Sequence, residues 1–197
     1  MTSLSGSIPA WNSAGVLPPI RPNAQGNSND RSPYSVDLSV FVDYFSYISS
    51  FERIAILDGL LRFRATLHRA GIVKGFQWLD GSFLEHVESI EGRQPRDMDV
   101  VTFFCMPDGK DQHLLLQENS ALFNAEHLKS TYRMDAYHVV LGDPTDAWRV
   151  RTISYWYSMW SHRRDGLWKG FVQVDLDPSQ DRAARARLNL NGGFHHE

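Results

Sequence analysis

Gly75-Phe76-Gln77-Trp78-Leu79-Asp80-Gly81-Ser82, followed after a turn by Arg96-Asp97-Met98-Asp99-Val100-Val101-Thr102-Phe103-Phe104-Cys105-Met106, is the stretch on which the fold reading turns. The first piece is short, aromatic and bounded by glycine, which predicts a strand ending at Gly81-Ser82. Phe83 to Ile90 is expected to form a short helix, broken by Glu91-Gly92-Arg93-Gln94-Pro95. Met98 to Met106 lacks polar alternation and is rich in β-branched and aromatic residues, which predicts a buried strand.

Working outward, Leu38, Val40, Phe41, Phe45 and Ile48 follow Ser35-Val36-Asp37 at amphipathic helical spacing. A second helix is predicted over 50–70 from Ile54, Leu57, Leu60, Leu61 and Leu67, with His68, Arg69 and Gly71 at its end. Arg53, Arg62, Arg64 and Arg69 read as its solvated face. Beyond the central strand, a helical stretch is expected over 112–129, a strand over 132–141, an aromatic helix over 153–160 and a strand over 170–176. The expected class is α/β (α+β), a mixed sheet flanked by helices.

Residues 1–35 are rich in Gly, Pro, Ser and Asn, and Val16-Leu17-Pro18-Pro19-Ile20-Arg21-Pro22 reads as extended. They are expected to be a flexible arm, with docking on the domain or on a protein partner as the other reading. Residues 36–176 form the expected domain, and 177–197 a polar C-terminal tail. No internal repeat is present.

At 197 residues the chain suits one core. Its net charge of −3 argues against a general binder of phosphate backbones, though not against a local basic pocket. No apolar run approaches the ~20 residues needed to cross a bilayer, and the start lacks a signal-peptide layout, so no membrane role and a cytoplasmic location are expected. The single cysteine, Cys105, reads as a buried core residue. The scattered histidines have no cysteine at zinc-ligand spacing.

Asp97 and Asp99 carry the chemistry. Two apart on a strand, their carboxylates project to the same face while Met98 turns to the core. Side by side they repel, and one would take up a proton unless a cation intervenes. A hard divalent ion, magnesium or manganese, removes the conflict, and magnesium prefers carboxylates with substrate phosphates. Asp135, on the later strand, completes a three-carboxylate site able to hold two ions. Asp143 and Asp146 lie near it in sequence, but only Asp135 sits inside the strand pattern. Gly81 lets backbone approach a phosphate, Ser82 adds a hydroxyl, and a helix starting there would add its amides.

Lys169 and Arg96 are candidates for reaching a phosphate, against the plain reading of solvated surface charges. Arg163 and Arg164 offer an acidic partner or an RNA phosphate a grip, or form a basic turn. Trp148, Tyr155, Trp156, Tyr157 and Trp160 make an aromatic stretch that reads as core packing, with base stacking as the functional alternative.

The order Gly-Ser, Asp-x-Asp, later strand Asp resembles the DNA polymerase beta-like nucleotidyltransferase superfamily. A closer likeness is to a family of short bacterial nucleotidyltransferase-like proteins. It is carried by Asn29 to Val36, Gly75 to Glu85, Arg96 to Val101 and Lys169-Gly170-Phe171-Val172, and spans most of residues 29–176. The resemblance implies a nucleotidyltransferase-type sheet, Gly81 and Ser82 holding a triphosphate, and Asp97, Asp99 and Asp135 binding metal. Fourteen residues, Phe83 to Arg96, separate Ser82 from Asp97, slightly more than is usual in the superfamily. The implied reaction moves an NMP from ATP or a similar triphosphate to an acceptor hydroxyl on protein or RNA, in a toxin–antitoxin or defence setting. A non-catalytic nucleotide-binding or partner-binding module is the alternative, and a metal-dependent phosphohydrolase a third reading.

Overall fold

Turn signals and apolar periodicity place the elements, and a computed structural model describes residues 6–47, 50–142 and 146–192. Asp143 and the helical position Ile48 lie outside the described residues. The helices are α1 (Leu38–Ser46), α2 (Phe51–Arg69), α3 (Val87–Ile90), α4 (Gln112–Glu118), α5 (Ala125–Tyr132), α6 (Ala147–Trp160) and α7 (Asp181–Gly192). The strands are β1 (Tyr34–Ser35), β2 (Gly75–Asp80), β3 (Met98–Cys105), β4 (Met134–Leu141) and β5 (Val172–Asp175). They form one mixed sheet in the order β1-β5-β2-β3-β4. β2 is antiparallel to both its neighbours, β3 and β5, whereas β3 runs parallel to β4 and β1 parallel to β5.

Residues paired across strands share a face, so the register sorts the sheet into two surfaces. Gln77, Thr102 and Val174 fall on the face toward α2, where the Arg64 guanidinium donates to Gln77 Oε1 at 2.8 Å. Trp78 and Phe103 fall on the opposite face, where Trp78 meets Tyr157 of α6 and Phe171 edge-on. Trp160 of α6 is buried and Trp156 packs partly against the core, 5.8 Å away between ring centroids. Gly59 of α2 meets α5 so closely that a Cβ would lie 2.0 Å from Tyr132 O.

Several expectations are corrected. Arg53 and Arg64, read as solvated, are fully buried. Arg53 Nε donates to Glu88 Oε1 at 2.6 Å, and its other nitrogens donate to the carbonyls of Phe83 and Glu85. Arg64 donates to Asp181 Oδ1 at 2.7 Å and to Asp175 O at 3.0 Å. Arg62 and Arg69 remain exposed as expected, whereas Arg53 and Arg64 lie on covered sides of α2 and each guanidinium is retained by a full set of acceptors.

The polar tail is the second correction. Residues 181–192 form α7, which packs along α1 and α2 with Ala184 and Leu188 buried. The flexible arm is the third. Ile8, Val16 and Leu17 are buried, Gly170 N donates to Leu17 O at 2.7 Å, and Tyr34 Oη donates to Pro18 O at 2.6 Å. Trp11 stacks on His86 at 4.6 Å and donates from Nε1 to Leu84 O. Cys105 is exposed rather than buried, at the last position of β3. Among the described residues no helix is long and apolar enough to cross a membrane.

Candidate functional site

β2 reaches its last residue, Asp80, directly opposite Asp99 of β3, and Asp99 lies opposite Asp135 of β4. Three carboxyl groups therefore stand in a row on one face of the sheet, at the end where β2 stops and β3 and β4 begin. Asp97 precedes β3 by one residue and lines the same cleft, of about 900 Å³, together with Gly81, Ser82, Arg96 and Lys169. The fold thus brings every residue singled out for catalysis, metal or nucleotide binding to one place.

The chain turns at Gly81 with φ 86°, a left-handed backbone that favours glycine. Space favours glycine as well, since a Cβ there would sit 3.0 Å from Asp99 Cγ. Ser82 begins a single 3-10 turn, Ser82–Leu84, not the helix expected to lend its amides. Among the described residues the Ser82 hydroxyl makes no hydrogen bond, and it faces the cleft.

Charge is distributed unevenly over the carboxylates. Lys169, buried, lies 2.9 Å from Asp80 Oδ1 and donates to Glu85 Oε1 at 3.1 Å. Its approach to Asp80 Oδ1 falls outside hydrogen-bonding geometry, which leaves that buried oxygen charge-paired yet without a hydrogen bond. Burial raises the Asp80 carboxyl and Lys169 draws it back. Burial also works against the Lys169 charge, but Asp80 and Glu85 outweigh it and its pKa rises. The lysine stays charged, and burial holds the Asp80 carboxyl well above the usual carboxylate range, at about 7. Lys169, expected to reach for a phosphate, is thus already held by two carboxylates.

Lys129 of α5 takes Asp97, at 2.9 Å from Oδ2. Among the described residues neither Asp99 nor Asp135 has an ion-pair partner. Burial, then Asp135 and Asp97, raises the Asp99 carboxyl to about 6. Burial is the larger cause, and the like charges of Asp135 and Asp97 add to it while Lys169 and Lys129 offset them only in part.

Among the described residues no three His, Cys, Asp or Glu side chains converge closely enough to hold a metal ion as placed. Asp97 is turned to Lys129, and Asp80 to Lys169. The donor set nevertheless fits a hard divalent cation in its chemistry: oxygen ligands only, and a buried carboxyl whose raised pKa such a cation would reverse.

Guanidinium groups ring the acidic floor. Arg93 pairs with Glu91 at 2.6 Å, and Arg163 lies 3.5–3.6 Å from Glu85, Glu91 and Asp165. Arg96, Arg133 and Arg164 also line the cleft, and among the described residues they have no ion-pair partner. Arg133 ends α5 in the left-handed region, φ 58° and ψ 38°, with its carbonyl accepting from Met98 N at 3.1 Å. A bulky residue there costs roughly 1–2 kcal/mol, and its position aims a cation into the cleft. Asp146, the neighbouring alternative to Asp135, caps α6 by accepting from Arg149 N.

Asp80, Glu85, Lys129 and Arg133 were not singled out from sequence. Asp80 carried a signal, since it shares the parity of Trp78 at the end of β2, on the cleft face. The others join through contacts across distant elements, as with Lys169 and Glu85, 84 residues apart.

The profile of a family described as "Family of unknown function (DUF6932)" matches residues 9–175, a span that includes the docked arm and every cleft residue named above. No curated protein and no solved structure matches the chain.

Proposed function

The chain belongs to this family of unknown function, and we propose that it is a magnesium-dependent nucleotidyltransferase acting on a nucleoside triphosphate. The observation that carries the reading is the Asp99–Asp135 pair, two carboxylates without a cation at the floor of a cleft rimmed by unpaired arginines. An acidic floor suits divalent ions, and an arginine rim suits the phosphates that accompany them.

Asp99 and Asp135 would hold the metal, with Asp97 joining on release from Lys129. Bound magnesium supplies positive charge to the phosphates and lowers the pKa of a neighbouring hydroxyl. The acceptor oxygen forms a bond to the α-phosphorus, the bond from that phosphorus to the bridging oxygen breaks, and pyrophosphate leaves. Asp135 accepts the hydroxyl proton. Ser82 donates to the phosphates from its free hydroxyl, while Arg96 and Arg133 neutralise their charge. Lys169 acts indirectly, by holding Asp80 and Glu85 on either side of the Gly81-Ser82 turn.

A second reading, a non-catalytic nucleotide-binding or partner-binding module, draws support from Lys129 and Lys169, whose ammonium groups stand where metal ions would neutralise Asp97 and Asp80. Incubation with α-radiolabelled nucleoside triphosphates, magnesium or manganese, and total cell RNA and protein separates the two. Label transferred by the wild type and absent with Asp97→Ala/Asp99→Ala supports the transferase and identifies the acceptor class. Nucleotide binding without any transfer, by a folded protein, supports the module.

A further inference from the structure

Helix α6 covers the sheet with Trp156 and Trp160 but presents a second stripe to solvent. Trp148, Arg151, Tyr155 and Met159 follow at intervals of three, four and four residues, so they stack along one side over about 16 Å. Trp148 is 62% exposed, Tyr155 52% and Met159 51%. Rings left this open contribute little to the core, and the Arg151 guanidinium interrupts the stripe between Trp148 and Tyr155. The helix has no acidic residue between Ala147 and Trp160. Among the described residues Arg151 has no ion-pair partner.

The stripe has a direction. Met159 lines the carboxylate cleft, and Arg164 stands unpaired at the same rim. Tyr137 of β4, itself exposed, lies two residues from Asp135, and its ring is 4.5 Å from that of Trp156. Aromatic surface therefore continues from α6 to the residue cast as acceptor of the hydroxyl proton.

We propose that this stripe is a stacking track for a single-stranded polynucleotide, delivering its terminal hydroxyl to the cleft as the acceptor. The proposal rests on the transferase reading and deepens it by naming the acceptor class. Two exposed rings flanking one guanidinium, on a helix free of acid and leading to the unpaired Arg164 at the rim, match a flexible polyanion whose bases offer flat faces and whose phosphates repeat between them. It does not match a protein partner, which would favour a contiguous apolar core with a polar rim. Nor does it match a duplex, whose stacked bases leave no faces for the rings. The net charge of −3 is compatible, because Arg151 of α6 and the rim supply unpaired guanidinium groups locally.

The test is equilibrium binding, which requires no turnover. Fluorescence anisotropy would be followed with labelled single-stranded RNA and DNA about twelve nucleotides long, the matching duplexes, and a polyglutamate peptide of equal charge. Single strands are expected to bind and the duplexes and peptide to bind at least tenfold more weakly. Trp148→Ala/Tyr155→Ala should weaken single-strand binding by roughly tenfold to a hundredfold. Arg151→Gln should lower the slope of log affinity against log salt by about 0.7. Arg187→Gln, on the exposed side of α7 and outside the cleft, should bind as well as the wild type. RNA against DNA preference reports the sugar recognised.

Absence of single-strand binding, equal binding of duplex or peptide, or a ring double variant within twofold of the wild type would overturn the track. Circular dichroism of the double variant guards against misfolding, and both side chains are exposed. Strand binding without nucleotidyl transfer would sink the transferase and leave the polynucleotide site standing. Transfer to a protein, unimpaired in the double variant, would sink the track and leave the transferase.

Discussion

Burial and the neighbouring Asp135 and Asp97 carboxylates hold Asp99 at about 6, so above that pH the folded protein carries a charge that the unfolded chain accommodates more easily. A carboxyl raised on folding costs stability once pH rises past its unfolded value near 3.8, and the full cost is present above its folded value near 6. Asp99→Asn is therefore expected to stabilise the protein by roughly 1–3 kcal/mol at pH 7, with the gain disappearing as pH falls from 6 toward 4. Urea unfolding across that pH range measures it. Magnesium should raise the melting temperature of the wild type and leave that of Asp99→Asn unmoved, whereas loss of stability in the variant would mark Asp99 as structural. Lys169 predicts the opposite behaviour. Lys169→Met strands two buried carboxylates and should cost roughly 3–5 kcal/mol, while Lys169→Met/Asp80→Asn should recover part of the loss. Asp97, Asp99 and Ser82, which share the cleft, were legible as a group because their signals are local: a two-residue period and a glycine turn. Lys129 and Glu85 were not, because a salt bridge has no signature in sequence until the fold brings its halves together.

At the scale of elements, buried arginines do the tying. Arg64 of α2 draws on Asp181 at the start of α7 and on the carbonyl of Asp175 at the end of β5, joining helix, strand and C-terminal helix at one guanidinium. Burial lowers the Arg64 pKa, and Asp181 opposes that shift. Asp181→Asn should destabilise by roughly 2–4 kcal/mol, since a charge left uncompensated in the interior costs more than the lost pair was worth. In the double-mutant cycle with Arg64→Met the penalties should be far from additive; simple additivity would show that the two residues act independently. The reading of α2 as a helix with a solvated arginine face holds for Arg62 and Arg69 and failed for Arg53 and Arg64, for a physical reason. Periodicity identifies a helix by its apolar stripe, but it cannot tell that α7 and the β2–β3 connection will cover the opposite side with acceptors.

Across the whole molecule the N-terminal arm is part of the fold. It closes over α1, the β2–β3 connection and β5, and its carbonyls at Gly15 and Leu17 accept from the amides of His86 and Gly170. Those two amides should exchange slowly in the intact protein and lose protection in a chain that begins at Ala24. Leu17→Ala alone should lower unfolding free energy by roughly 2–4 kcal/mol, read from the urea midpoint. Rapid exchange at both amides in the intact protein would show instead that the arm is loosely held. Because His86 and Gly170 flank the cleft residues Glu85 and Lys169, removal of the arm should also weaken nucleotide binding.

The sequence by itself determined strands β2 to β5 and helices α1 and α2, since each rests on interactions within a few residues: strand alternation, helical repeat, the glycine that permits a left-handed turn; it missed β1 and α7, and ran α4 and α5 together as one stretch. It also determined that Asp97 and Asp99 precede an apolar strand behind a Gly-Ser turn. Only the tertiary structure decided that Asp80, Asp99 and Asp135 stand in one row, because that depends on a register between strands far apart in the chain. It alone decided which cations are spent on pairs, as Lys169 and Lys129 are, and which remain available at the rim. Charge pairing and burial are properties of distance in space, and the linear order of residues does not contain those distances.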